Sequence, residues 1–242
     1  MSQRFFVPQI DGEHAVLDGS EGHHLIHVMR AKAGSEVVLF DGSGAEYAAR
    51  VTRIERSRVE LTIRRRTQIS RELAVHVTLA VALPKGDRQR WLVEKAVELG
   101  VARLIPLQTE RGVAQPAQQA LKRLERTVIE AAKQCGRNRL MEIGPPCPFV
   151  EFAAAAPADS MRFVAHPGGR PLGELLENDR RTAAAEIAHL FAIGPEGGFT
   201  REEIAVATRQ GWQTIDLGPR TLRIETAALA LVAIVSMQSE SR

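Results

Sequence analysis

Cysteine is nearly absent. Cys135 and Cys147 are the only two, and they form no Cys-x-x-Cys pair. A disulfide scaffold and a cysteine-built metal site are therefore excluded, and a reducing, cytoplasmic setting is expected. Aromatic residues make up only 5% of the chain, which argues against extended base-stacking platforms. The longest purely apolar run, Ala227 to Val235, is too short to span a bilayer, so no membrane partner is expected. The opening MSQRFFVPQ carries no long apolar stretch, and no secretory signal is expected from it. The common phosphate loops are missing too. No Gly-x-Gly-x-x-Gly follows a strand, no Walker-type Gly-Lys-Ser/Thr occurs, and no Gly-x-Ser-x-Gly elbow is present.

What remains is an ordinary globular mixture. Of the 242 residues, 44% are hydrophobic and 25% charged, enough to bury a core without covalent staples. The net charge of +3 is uninformative, but the basic residues are clustered. Between Arg50 and Arg71 eight Arg face two Glu, and between Gln118 and Leu140 six basic residues face two acidic ones. Such clusters suit a phosphate backbone, and they equally suit a solvated face.

The chain changes character near residue 72. Before it, short strands dominate. Glu36 to Phe40, the turn Asp41-Gly-Ser-Gly and Ala45 to Ile54 predict a hairpin. Ser57 to Ile63 alternates with period two, and Glu21 to Arg30 reads as a short helix. This is a small β-rich unit, expected to be a barrel over residues 1–72. Residues 73–242 alternate strands with helices, which predicts an α/β domain with a largely parallel sheet. Asp87 is expected to cap a helix ending at Gly100, and Thr200 with Glu203 reads as a capping box.

Two glycine-bearing strand ends attract attention. Ile193-Gly-Pro-Glu-Gly-Gly-Phe-Thr200 joins a buried strand to a capped helix. Leu217-Gly-Pro-Arg-Thr-Leu-Arg-Ile-Glu-Thr-Ala227 does the same and is densely charged. Ligands of open α/β sheets bind beyond the carboxyl ends of strands, so both loops are candidate sites. On spacing alone, two tight turns with incidental charges, or a nucleotide-phosphate site at Gly197-Gly198, remain alternatives. His23, His24 and His27 lack further ligands at suitable spacing, so no metal is expected. Trp91 and Trp212 read as packing residues.

The stretches HHLIHVMRAKAGSEVVLFDGSG, PKGDRQRWLVEKAVELGV, IEAAKQCGRNR, IGPEGGFTREEI and LGPRTLRIETAAL resemble the RsmE family of SPOUT-class RNA methyltransferases. The resemblance runs nearly end to end. It implies an N-terminal PUA-like RNA-binding β-barrel and a SPOUT α/β domain with a C-terminal trefoil knot. It implies methylation of uracil N-3 at position 1498 of 16S ribosomal RNA, S-adenosylmethionine as donor, and a homodimer. A non-catalytic RNA-binding assembly factor is the alternative, and it would predict damaged loops.

Carried over residue by residue, the resemblance assigns Ile193, Gly194, Glu196, Gly197, Gly198, Leu217, Gly218, Leu222, Arg223, Thr226 and Ala227 to cofactor binding. His166, in a third and poorer-matching segment, joins them. Arg223 is the candidate stabiliser of a uracil oxygen, and Glu225 and Glu196 are candidate proton acceptors. Solvent acceptance of the proton stays open, as do helix-capping roles for the two glutamates. Arg4, Arg30, Arg64, Arg88, Arg137 and Arg139 are candidate RNA contacts. Two departures from the family pattern stand out: the cysteine expected after Thr109-Glu-Arg is absent, and Leu140-Met141 replaces Val-Pro.

Overall fold

A computed structural model describes residues 4–112, 118–171 and 187–240. The chain divides into two compact units: residues 1–72 with 129–140, and residues 73–128 with 141–242. Residues 129–140, which the sequence pattern assigns to the second domain, belong with the first unit. The cause is a set of long-range polar contacts described below.

The first unit contains β1 (Arg4–Phe6), β2 (His14–Leu17), α1 (Gly19–His23), β3 (Glu36–Phe40), β4 (Ala45–Glu55) and β5 (Arg58–Gln68). One mixed sheet runs β1-β3-β4-β5-β2, with β1 parallel to β3 and the other pairs antiparallel. No ladder joins β1 to β2 among the described residues, so the hydrogen bonding leaves a five-stranded sheet open at that seam. Alternation builds the core: Ala45, Tyr47, Ala49 and Val51 on β4 and Val59 and Leu61 on β5 point inward against Phe5, Leu17, Leu25 and Leu39. The expected helix from Glu21 to Arg30 is in fact α1 followed by a π turn over His24–Val28. Arg30, at φ 52°, ends it in the left-handed region.

The second unit contains β6 (Val77–Val81), α2 (Asp87–Glu98), β7 (Arg103–Gln108), the start of α3 (Gln118–Cys135), β8 (Glu142–Ile143), β9 (Cys147–Pro148), α4 (Phe149–Ala154), β10 (Met161–Pro171), β11 (His189–Ile193), α5 (Arg201–Arg209), β12 (Gln213–Asp216) and α6 (Ile224–Glu240). Its sheet is wholly parallel in the order β12-β10-β11-β6-β7-β8, with β9 also on β7. β6 and β11 are buried along their whole length, as strands covered on both faces must be. Gly86, not Asp87, is the N-cap of α2; Asp87 lies in the first turn, where its charge suits the helix dipole. Trp212 is buried, donates from Nε1 to the Ala153 carbonyl at 3.1 Å, and packs on Phe149 and Phe152. Trp91, expected to pack, is instead 47% exposed on α2. No described helix is long and apolar enough to cross a membrane.

Candidate active site

Three neighbouring parallel strands, β12, β10 and β11, end at the same edge of the sheet, so their exits converge. The exit of β11 turns tightly. The Gly198 N–H donates to the Pro195 carbonyl at 2.8 Å, and Gly198 sits at φ 67°. Phe199 is buried against Phe149, with ring centroids 4.2 Å apart. A Cβ on Gly194 would lie 3.0 Å from the Phe199 ring, so a side chain there would force the ring to give way. Thr200 and Glu203 form the expected capping box. Glu203 is buried, and its second oxygen accepts the Glu110 N–H at 3.1 Å, tying the exit of β7 to α5. Arg111 donates to the Gly197 carbonyl at 2.8 Å and holds the crest of the turn.

The other two exits share one carboxylate. β10 breaks register between Ala165 and Arg170, and residues 166–169 loop out beside β12. A Cβ on Gly169 would lie 2.7 Å from backbone atoms of Thr214 and Ile215, which only glycine avoids. Asp216 accepts the Gly168 N–H and the Gly218 N–H, each at 2.8 Å. Those two bonds, first from Gly168 and then from Gly218, hold its carboxyl below the usual range, with His166 adding a smaller attraction. The His166 segment and the Leu217-Gly218 turn are thus joined through Asp216.

The start of α6 completes the arrangement. Ile224, Ala227 and Ala228 are buried, whereas Arg223 and Thr226 are exposed and Leu222 is half-buried. Glu225 is buried in the first helical turn, and its Oε2 has no hydrogen-bond partner among the described residues. Arg88, from the first turn of α2, places Nη1 3.6 Å from Glu225 and Nη2 3.6 Å from Glu196. Glu196 is exposed and does not cap the following helix, because Thr200 does. A cleft of about 190 Å³ opens beside these groups, lined by Ala82, Leu83, Pro84, Lys85, Arg88, Gly112, Pro195, Glu196 and Ile224.

The expected cofactor residues His166, Ile193, Gly194, Glu196, Gly197, Gly198, Leu217, Gly218, Leu222, Arg223, Thr226 and Ala227 therefore lie on or just after these three adjacent exits. The expected RNA contacts separate. Arg30, Arg64 and Arg139 are exposed, and Arg88 lies beside the cleft. Arg4 and Arg137 are turned inward, against expectation. Arg4 binds Glu46 at 2.6 Å and Asn138 at 2.5 Å, and Arg137, only 3% exposed, binds Glu72 at 2.5 Å. Both are committed to attaching residues 129–140 to the first unit. Two further residues, Asp216 and Arg111, escaped the sequence reading, and Glu203, expected only to close the capping box, also accepts the Glu110 N–H. For Asp216 a signal existed, because Asp-x-Gly at a strand end is an Asx-turn pattern. Among the described residues no three His, Cys, Asp or Glu side chains are grouped to hold a metal ion.

This parallel sheet with its glycine-lined exits matches, over residues 71–236, a family model described as an RNA methyltransferase domain. Residues 17–64 match one described as an RNA methyltransferase PUA domain, so the class is that of RNA methyltransferases. The chain is 30% identical over 230 residues to ribosomal RNA small subunit methyltransferase E of Bacillus subtilis, covering 93% of this chain and 90% of that one. It superposes with a TM-score of 0.86 on the Neisseria gonorrhoeae ribosomal RNA small subunit methyltransferase E bound to S-adenosyl methionine, at 30% identity over 98% of both chains. A Legionella pneumophila methyltransferase solved with the same cofactor gives 0.86 at 29% identity over 98% of both. The chain belongs to the RsmE family, the ribosomal RNA small subunit methyltransferases E.

Proposed function

We propose that this chain methylates N-3 of uracil 1498 of 16S ribosomal RNA in the small ribosomal subunit, using S-adenosylmethionine. The observation that carries the reading is the set of three neighbouring, glycine-built strand exits, two of them joined through Asp216. Gly168, Gly198 and Gly218 all have positive φ, and nothing lies within 4 Å of where a Cβ would stand on any of them. Their glycines serve the backbone conformation and leave the main chain open to a ligand, which fits a cofactor read by backbone groups. When bound, S-adenosylmethionine supplies an electrophilic methyl on its sulfonium, so the protein need only bind, orient and manage a proton.

In this reading main-chain groups at Ile193, Gly194, Gly197, Gly198, Leu217, Gly218 and Leu222 recognise adenine and ribose, with His166, Thr226 and Ala227 closing the site. Arg223 stabilises charge on a uracil oxygen. Glu225 or Glu196 takes the imide proton, and the unpartnered Oε2 of Glu225 favours it. Arg30, Arg64 and Arg139 are exposed and supply phosphate contacts. The reading extends to a PUA-like barrel, a SPOUT domain with a trefoil knot near the C-terminus, and cytoplasmic action on the ribosomal subunit. It also extends to a homodimer through α2 and α6, where Trp91, Ile234 and Met237 stand exposed.

Calorimetric titration with S-adenosylmethionine tests the reading. We expect saturable binding that Gly197→Trp removes while the protein stays folded, and Arg223→Ala to abolish transfer without loss of fold. A folded chain that binds no cofactor, with or without a small-subunit RNA fragment, is the outcome of a non-catalytic assembly factor.

A further inference from the structure

We infer that the cleft on the β6 side of the site receives the acceptor base, a uracil ring, and that Lys85, Arg88 and Glu225 read its imide edge. The inference rests on the function proposed above and assigns the half of the site that the cofactor exits leave unassigned. The cleft shares Pro195, Glu196 and Ile224 with the two loops and adds the exit of β6, next to β11 in the sheet. A ring held there lies beside the cofactor segments rather than on them.

Size and lining suit one unstacked base. A volume of about 190 Å³ is below the roughly 300–1,000 Å³ of pockets that enclose whole drug-sized ligands. Ala82, Leu83, Pro84 and Ile224 offer apolar contact for the ring, and a base must leave its stack to enter. The polar groups suit uracil in particular. Its imide edge reads acceptor, donor, acceptor: one carbonyl, N3–H, the other carbonyl. Lysine and arginine only donate, and an ionised carboxylate only accepts. Lys85 and Arg88 line the cleft, and Glu225 lies within reach of the same Arg88. Cytosine has an acceptor at N3 and its donor at N4, so at the central position it would set an acceptor against the carboxylate.

The polar groups here are also incompletely used. Arg88 stands 3.6 Å from each carboxylate, outside the roughly 2.7–3.2 Å of an N–H···O bond. Its charge is balanced while its donors stay uncommitted. Glu225 Oε2 is buried and unpartnered, a state that costs free energy until a donor arrives.

Three variants test this: Lys85→Met, Arg88→Gln and Glu225→Gln. Each is measured for S-adenosylmethionine affinity by calorimetry and for single-turnover transfer to small-subunit RNA at saturating cofactor. We expect cofactor affinity to stay within about twofold while transfer falls about 100-fold or more for Arg88→Gln and Glu225→Gln. Lys85 is exposed at the rim, so Lys85→Met leaves the fold intact, and its transfer falls about tenfold. RNA carrying 4-thiouridine at the target position is expected to cross-link to the peptide containing residues 82–88. Near-normal transfer in all three variants overturns the inference, as does cross-linking confined to another peptide. So does a loss of cofactor affinity matching the loss of transfer, since Arg88 would then only brace the loop. A failure of the proposed function itself shows separately, as absence of cofactor binding by the unaltered protein, and takes the inference with it.

Discussion

Each unit of this chain sets arginines against glutamates, and the spacing differs. In the first unit Arg4 and Arg71 close on one oxygen of Glu46 at 2.6 and 3.0 Å, Arg137 closes on Glu72, and Arg71 also reaches the Gly136 carbonyl at 2.9 Å. Asn138 adds a bond to the Ile69 carbonyl at 3.0 Å. In the second unit Arg88 stays 3.6 Å from both Glu196 and Glu225, and one oxygen of Glu225 takes no bond from any described residue. The residue types are the same. Closed contacts between residues distant in sequence hold residues 129–140 onto the first unit, whereas open contacts beside a cleft keep donors and acceptors available for a ligand.

The contrast is broken or upheld most strongly by replacing its two central arginines. Arg137→Ala leaves Glu72 without its partner in a nearly buried pair, a loss of about 3–5 kcal/mol in urea unfolding. Arg88→Ala removes a guanidinium that is 40% exposed and makes no close bond, and it should cost less than about 1 kcal/mol. Equal destabilisation by the two would erase the distinction between a closed and an open cluster.

The same contrast explains what was legible in the sequence. Features decided by neighbours in the chain were readable: the Thr200–Glu203 box, the parallel alternation of strands and helices, and the two glycine-bearing exits that carry the family resemblance. Arg4 and Arg137 were misread because neither a family resemblance nor charge clustering states which way a side chain turns. Their partners, Glu46 and Glu72, lie 42 and 65 residues away, and only the folded chain brings them together. The π turn at His24–Val28 was also invisible, since π and α turns share an apolar stripe over so few residues. Arg88 was expected to contact RNA, and its place beside two candidate proton acceptors could not be read because it depends on α2 packing next to α6.

A smaller effect separates bracing from binding within the second unit. Arg111 donates to the Gly197 carbonyl in the turn after β11, and it is exposed. Arg111→Ala should weaken cofactor binding by about 1 kcal/mol, about fivefold in Kd, with unfolding essentially unchanged. A loss of stability without a change in Kd would show that this bond serves the fold alone.

The gentlest probe is protonation. Asp216 is ionised more readily in the folded chain than its ordinary value of 3.8 allows, because Gly168 and Gly218 donate to it. A depressed carboxyl stabilises the folded state fully above the unfolded value and loses that contribution as pH falls through the lower folded value. Glu46 behaves likewise from its ordinary value of 4.5: burial alone would raise it, and the bonds from Arg4 and Arg71 override that and lower it. Stability should therefore be flat down to about pH 5 and decline below it. Asp216→Asn separates the two contributions, since it removes the share belonging to the β10 and β12 exits and leaves that of Glu46. The urea midpoints of the two proteins should differ at neutral pH and converge on acidification. A difference that persists unchanged at low pH would mean that the side chain's shape, and not its charge, joins the two loops.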